Sequence, residues 1–245
     1  MLYLQWKKTN GLKYRLALIV FMMLVSMATF AQKEIYREEQ DTKPYYFGLT
    51  LSTVYTHFQM EHDPSFIRQD TIAVVQSINS PGISLRLVGA LNLTNRFELR
   101  FNPGLIFTTR PIVYNLKYPD YDQGYTVTKN VESIITTFPL DIKFKSDRIG
   151  NFRVYMIGGG KVDVDLSSNS KARLADDMVQ IQKYTYGIEG GIGFNFYRKS
   201  VTVSPEIKFS SGLNNQLNQN SNLNYSKVLN RIQSRMVIFS IHLEG

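Results

Sequence analysis

The chain has 245 residues with 15 Phe, 15 Tyr, one Trp and no Cys, and 28 Lys+Arg against 20 Asp+Glu. The missing cysteine excludes a disulfide scaffold, Cys-ligated zinc or iron–sulfur, a thiol nucleophile and a lipid-modified N-terminal cysteine. A mean hydropathy of -0.19 excludes a helical protein with several membrane spans, and the net charge of +8 points to nucleic acid or an anionic surface only if the charges lie together.

They do not. Residues 1–31 read as a cleaved secretory signal: Lys7, Lys8, Lys13 and Arg15 form a basic n-region, Leu16–Val25 the apolar h-region, and Thr29 and Ala31 the −3 and −1 positions of a cleavage site. At ten residues, or sixteen if extended to Ala31, the apolar stretch is short of the ~20 that span a bilayer. Cleavage between Ala31 and Gln32 removes four basic residues and no acid, so the remainder carries +4. Residues 32–44 form a charged periplasmic lead-in, and 45–245 a single domain.

From Tyr45 onward, alternation with period two predicts eight strands, at 45–60, 82–93, 97–109, 131–145, 151–166, 181–196, 201–210 and 229–243. In Phe97–Phe107 the odd positions read Phe, Leu, Phe, Pro, Leu, Phe, and the even ones Glu, Arg, Asn, Gly, Ile. The same contrast sets Phe138, Leu140, Ile142 and Phe144 against Asp141 and Lys143, and Val201, Val203, Ile207 and Phe209 against Glu206 and Lys208. A soluble sandwich or lipocalin also alternates, and connection lengths decide. Links after strands 2, 4 and 6 are short (94–96, 146–150, 197–200), whereas those after strands 1, 3, 5 and 7 are long (61–81, 110–130, 167–180, 211–228). The expected fold is therefore all-β: an eight-stranded antiparallel up-and-down transmembrane β-barrel with four long outer loops and three short periplasmic turns, both termini in the periplasm.

The polar face carries Arg86, Arg100, Lys143, Arg153, Lys161 and Lys208 against Glu98, Asp141, Asp163, Asp165, Glu189 and Glu206. An eight-stranded bore is filled by side chains, so this six-to-six balance reads as a paired structural network in the lumen. Aromatics near strand ends (Phe97, Phe144, Phe152 and Phe196 by the turns; Tyr55, Phe107 and Tyr184 by the loops) fit two interfacial girdles.

Catalytic patterns are weak. Ser240 and His242 share one strand face with no acid partner evident in the sequence, and all three histidines read as surface or interfacial. Glu61, His62 and Asp63 are consecutive loop residues with poor metal geometry. Asp163-Val164-Asp165 lacks the glycine and glutamate of a calcium loop, and reads as two inward carboxylates facing Lys161 or Arg153. No helix follows the glycines at 158–160 and 187–193, so they relieve crowding rather than cradle phosphate. No catalytic residue, cofactor, metal, nucleic acid or small-molecule substrate is expected. Tyr114, Tyr118, Tyr121 and Tyr125 make the second long loop the candidate partner-binding loop.

The sequence resembles the PorT (SprT) family, outer-membrane barrels of the type IX secretion and gliding-motility system of Bacteroidetes. The resemblance runs from about Pro81 to Glu244. It is carried by Pro81-Gly82-Ile83-Ser84, Phe97–Leu105, Glu132-Ser133 followed by Phe138-Pro139-Leu140, Lys143–Ser146 with Arg148, Asn151–Gly159, Ser204–Leu213 and Ser234-Arg235-Met236. It implies an outer-membrane component of protein export, and of motility in gliding species, with other secretion subunits and outer-membrane lipid as its partners. The alternative is a small surface barrel that binds through its loops as an adhesin.

Overall fold

The alternation resolves into ten antiparallel strands: β1 (Tyr45–His62), β2 (Ile72–Ser77), β3 (Ser80–Asn92), β4 (Phe97–Phe101), β5 (Gly104–Asp120), β6 (Gly124–Lys145), β7 (Phe152–Asp165), β8 (Tyr184–Tyr197), β9 (Thr202–Gly212) and β10 (Leu229–Glu244). A 3-10 turn, η1 (Glu38–Asp41), precedes them. The computed structural model describes residues 34–62, 72–120, 124–168, 181–217 and 229–245. The signal segment, with Ala31 and Gln32, lies outside the described residues. The chain divides into Met1–Ile35 and Tyr36–Gly245, and the second unit holds every described strand.

β1 pairs with β10 on one side (Ser52↔Ser240) and with β3 on the other (Thr50↔Arg86), so the sheet closes on itself. Ten strands make eight staves. β2 and β3 pair in succession with β5 and form one stave interrupted at Ile78-Asn79. β4 and β5 lie along β6 and form another, interrupted at Asn102-Pro103, where the proline has no N–H to give the ladder. The turns 93–96, 146–151 and 198–201 are short. The chain is thus an all-β, antiparallel, up-and-down barrel.

Three staves reach further than the sequence pattern predicts, all at the loop end. The stretch 110–130, read as a loop, is mostly a paired hairpin (Arg110↔Val131, Tyr114↔Val127, Asp120↔Gly124), and Gly124, the first residue of β6, has φ +70°. Much of 61–81 is likewise strand.

Along each stave, outward and inward residues alternate, and on β1, β6 and β10 the sign of the alternation reverses near the loop end. Below the reversal, Tyr45, Phe47, Leu49, Leu51 and Tyr55 of β1 are exposed while Thr50, Ser52 and Thr56 are buried. Beyond it the outward residues are His57, Gln59 and Glu61, and the inward Phe58 joins an apolar cluster with Val75, Ile112, Tyr114, Leu116, Val127, Ile181, Leu217 and Ile232. The first pattern suits a wall in hydrocarbon, the second a wall in water. From Tyr45 to Tyr55, ten residue steps on a stave tilted by ~40° span ~25 Å, the height of a lipid-facing band. Paired aromatics line its edges. At the turn end, Phe97 and Phe144 lie 5.3 Å apart and Phe152 and Phe196 5.3 Å; at the loop end, Tyr55 and Phe239 lie 6.1 Å apart.

Inward glycines let staves approach over long charged side chains. A Cβ on Gly191 would stand 2.2 Å from Ile207 O and 2.7 Å from Lys208 Cγ, and one on Gly159 2.1 Å from Leu140 O and 2.6 Å from Asp141 Oδ1.

Candidate functional site

The alternation on β4, β6 and β9 drives charged side chains inward, where they must satisfy one another. Nearest the termini, Arg100 Nη2 donates to Glu244 Oε1 at 2.7 Å and to Glu98 Oε1 and Tyr46 Oη, both at 3.2 Å. Its Nη1 lies 3.6 Å from Glu206 Oε2. Lys145 bridges Glu98 (3.4 Å) and Asn92 (2.5 Å), and Lys143 Nζ sits 3.7 Å from Glu98 and 3.9 Å over the Tyr155 ring.

Deeper, Lys208 Nζ meets three carboxylates: Glu189 at 2.6 Å, Asp141 at 3.0 Å and Glu206 at 3.6 Å. Tyr155 Oη donates to Glu206 Oε2 at 2.8 Å. Toward the loops, Lys161 pairs with Asp163 (2.5 Å), and Arg110 with Asp165 (2.8 Å) while stacking over Phe58 at 4.5 Å. Arg86 Nε donates to Ser84 Oγ at 2.9 Å. An apolar layer of Val54, Ile106, Ile135, Met236 and Ile238 crosses the bore on the turn side of Arg110 and Phe58, and the cluster around Tyr114 closes it on the loop side.

Each of the twelve charges placed on the polar face is buried, and three more join them: Arg110, Lys145 and Glu244. The sequence pattern puts Arg110 in a loop, whereas it lies within β5, and Lys145 and Glu244 are the last residues of their strands. Among the described residues, buried cations outnumber buried carboxylates by eight to seven. Asp41 of η1 redresses the balance.

Asp41 Oδ1 accepts from Arg153 Nη1 at 2.7 Å, and its Oδ2 from Arg148 Nη1 at 3.3 Å. Buried Gln40 accepts from Thr202 Oγ1 (3.0 Å), Arg37 Nη1 donates to Glu244 O (2.8 Å), and Arg148 Nη2 donates to Tyr36 O. Residues 36–41 thus latch across the turn end of the bore. The cavity beneath them, lined by Gln40, Glu98, Lys145 and Arg153, measures about 10 Å³, at or below the room one water needs. Asp41 is partly exposed, so the pair is worth ~1 kcal/mol. D41A is therefore expected to raise protease cleavage within 36–42 about fivefold while the unboiled barrel still migrates fast on a gel.

A model of the outer membrane protein beta-barrel domain matches residues 30–218. The chain belongs to this family. Solved structures similar to it include Neisserial surface protein A (TM-score 0.46, 7% identity, 82% of this chain and 97% of that one) and OprG from Pseudomonas aeruginosa (0.44, 11%, 82% and 95%). A third is Ail, the attachment invasion locus protein of Yersinia pestis, solved with the heparin analogue sucrose octasulfate (0.37, 8%, 83% and 100%). No curated protein matches the chain.

In this outer-membrane barrel the tyrosines of the predicted binding loop separate. Tyr114 is fully buried in the loop-end cluster, because the hairpin continues the barrel and turns its even-numbered side chains inward. Tyr118 and Tyr125 are exposed, and Tyr121 lies outside the described residues. His242 is not a surface residue. It is fully buried, its Nδ1 2.7 Å from Thr50 Oγ1 and its Nε2 3.3 Å from Glu206 Oε1, an acid partner supplied by the adjacent stave β9. Ser240 bonds Ser52 at 2.9 Å, on the opposite neighbour. His57 faces outward near the loop end. Asp165 faces Arg110, and Arg153 is held by Asp41.

Proposed function

We propose that this barrel is a non-conducting, non-catalytic accessory or assembly component of the type IX secretion system, set with its loops outward and both termini in the periplasm. The closed bore carries this reading: a lumen crossed by ion pairs and two apolar layers leaves no path for a polypeptide, so any part in export runs through the wall or the ends. The resemblance of Phe97–Leu105, Asn151–Gly159 and Ser204–Leu213 to the PorT family supplies the secretion system. The latch of residues 36–41 gives the periplasmic end a rigid face for a partner. Planar bilayers holding the purified protein are expected to show no stable nanosiemens conductance. A clean deletion is expected to abolish export of secreted cargo, and co-purification in mild detergent to recover other secretion subunits. Normal export in the deletion would reject the reading.

The second reading, an adhesin, is favoured by one feature. The β5–β6 hairpin extends beyond the lipid-facing band and exposes Tyr118 and Tyr125 near its tip. Shortening it between 115 and 126 while sparing Arg110 and Tyr114 separates the two, since an adhesin loses surface binding and keeps secretion.

A further inference from the structure

We infer that the turn end of the barrel is a receptor for an extended, carboxylate-bearing segment of a periplasmic partner. Residues 36–41 occupy it in cis until that segment displaces them. The partner's compartment rests on the orientation proposed above; the receptor itself does not.

The receptor is shaped independently of the latch. Arg148 Nε donates to Gly150 O at 2.7 Å and its Nη2 to Asn151 Oδ1 at 3.2 Å, while the guanidinium lies 3.8 Å over the Tyr197 ring. The 146–151 turn and β8 therefore fix this side chain. Arg153 is buried, and among the described residues its Nε meets no partner. Lys145 is already answered by Glu98 at 3.4 Å. Among the described residues, Asp41 is the carboxylate that pairs with either arginine.

The latch lies here as a peptide ligand lies on a protein. Asn151 Oδ1 accepts from Tyr36 N at 2.8 Å, and Arg148 donates to Tyr36 O and, at 3.2 Å, to Arg37 O. Side chains complete the fit: Arg37 on Glu244 O, Gln40 on Thr202, and Asp41 between Arg153 and Arg148. Main-chain contacts of this kind accept many sequences, and the two guanidinium groups select a carboxylate. With one base and three acids, 36–41 is itself an acidic peptide.

It is also a poor occupant. It buries one side chain, the polar Gln40, and leaves Glu38 and Glu39 in solvent. Arg37 has φ +57° and ψ +46°, a left-handed conformation that strains a non-glycine residue. A segment extended through that point escapes the strain. The cavity of about 10 Å³ beneath the latch admits no second chain, so a partner must take the latch's place. Tethered to β1 by residues 42–44, the latch competes at an effective concentration on the order of millimolar.

Fluorescence anisotropy of a labelled synthetic peptide of residues 36–43, titrated with the full-length barrel in detergent, tests the receptor. One substitution is expected to act in opposite directions on the two sides. D41A in the barrel enlarges the open fraction about fivefold and tightens peptide binding by the same factor. Asp41→Ala in the peptide weakens binding about fivefold. R148A added to the D41A barrel is expected to lose about tenfold, the worth of one charge-assisted hydrogen bond. R148K is expected to lose less, since it keeps the charge without the paired N–H donors. A scrambled peptide of the same composition is expected to bind no better than the Ala variant. Each barrel is scored only if it shifts on the gel as a folded barrel. Equal affinity of the wild-type and D41A barrels, indifference to Arg148, or full binding by the scrambled peptide would overturn the assignment. A wild-type dimer that R148A dissolves would make a second copy the occupant and overturn it too. Protease access to residues 36–42 from outside intact cells reports the orientation separately.

Discussion

Replacing Lys208 with methionine is expected to cost the barrel about 3–5 kcal/mol, the penalty for leaving buried charge without its partner. The ammonium is fully buried and stands between Glu189, Asp141 and Glu206, at 2.6, 3.0 and 3.6 Å. Without it three carboxylates face one another in the bore, and they must take up protons, draw in water or move apart. Methionine keeps the length of the side chain, so the loss is one of charge rather than volume. The urea midpoint for loss of the fast-migrating band, read in detergent at neutral pH, is the measurement. Converting Glu189 to Gln in the same chain removes one of the stranded charges and is expected to recover part of the loss, as groups in one network couple non-additively. A midpoint within error of the wild type would mean that the network is wet and solvated instead of filling the barrel.

How much of this was legible before the fold was known differs by level. The eight staves, the short turns and the inward set of Glu98, Arg100, Asp141, Lys143, Glu206 and Lys208 follow from period two alone, because in a wall facing lipid every inward charge is flagged by apolar residues on both sides. Which charges meet was not legible. Register places His242 beside Ser204 and Ser240 beside Glu206, and nothing local to Ile241-His242-Leu243 announces a glutamate on the neighbouring stave. Arg110 was lost for a different reason. Past Thr109 the outward positions read Pro111, Val113, Asn115 and Lys117, so the run of large lipid-facing side chains breaks off although the period continues. The tyrosines at 114, 118, 121 and 125 then resembled an exposed aromatic loop, whereas Tyr114 is a core residue under a hairpin. The latch is the hardest case. Arg37–Asp41 carries no periodicity, and its placement depends on Arg148 and Arg153, more than a hundred residues away.

The reversal of pattern makes a sharper claim than the barrel itself: it locates the membrane boundary on the staves that show it, β6 among them. Leu140 and Thr128 both project outward from β6, twelve residues apart, and both are exposed. In a soluble barrel an exposed site accepts arginine with little change anywhere along its length. In this one, L140R places a guanidinium near the middle of the hydrocarbon and is expected to cost about 2–4 kcal/mol, while T128R, beyond the girdle that includes Tyr55 and Phe239, is expected to cost about 0–1 kcal/mol. I142R should resemble L140R, reduced where the side chain snorkels toward the Phe97–Phe144 girdle. Equilibrium unfolding in lipid vesicles gives the differences directly. A flat response along the stave would remove the bilayer from the picture, and a T128R penalty as large as that of L140R would place the hairpin within the membrane. The steep gradient expected here ties the exposed Tyr118 and Tyr125 to the aqueous side of the hydrocarbon boundary.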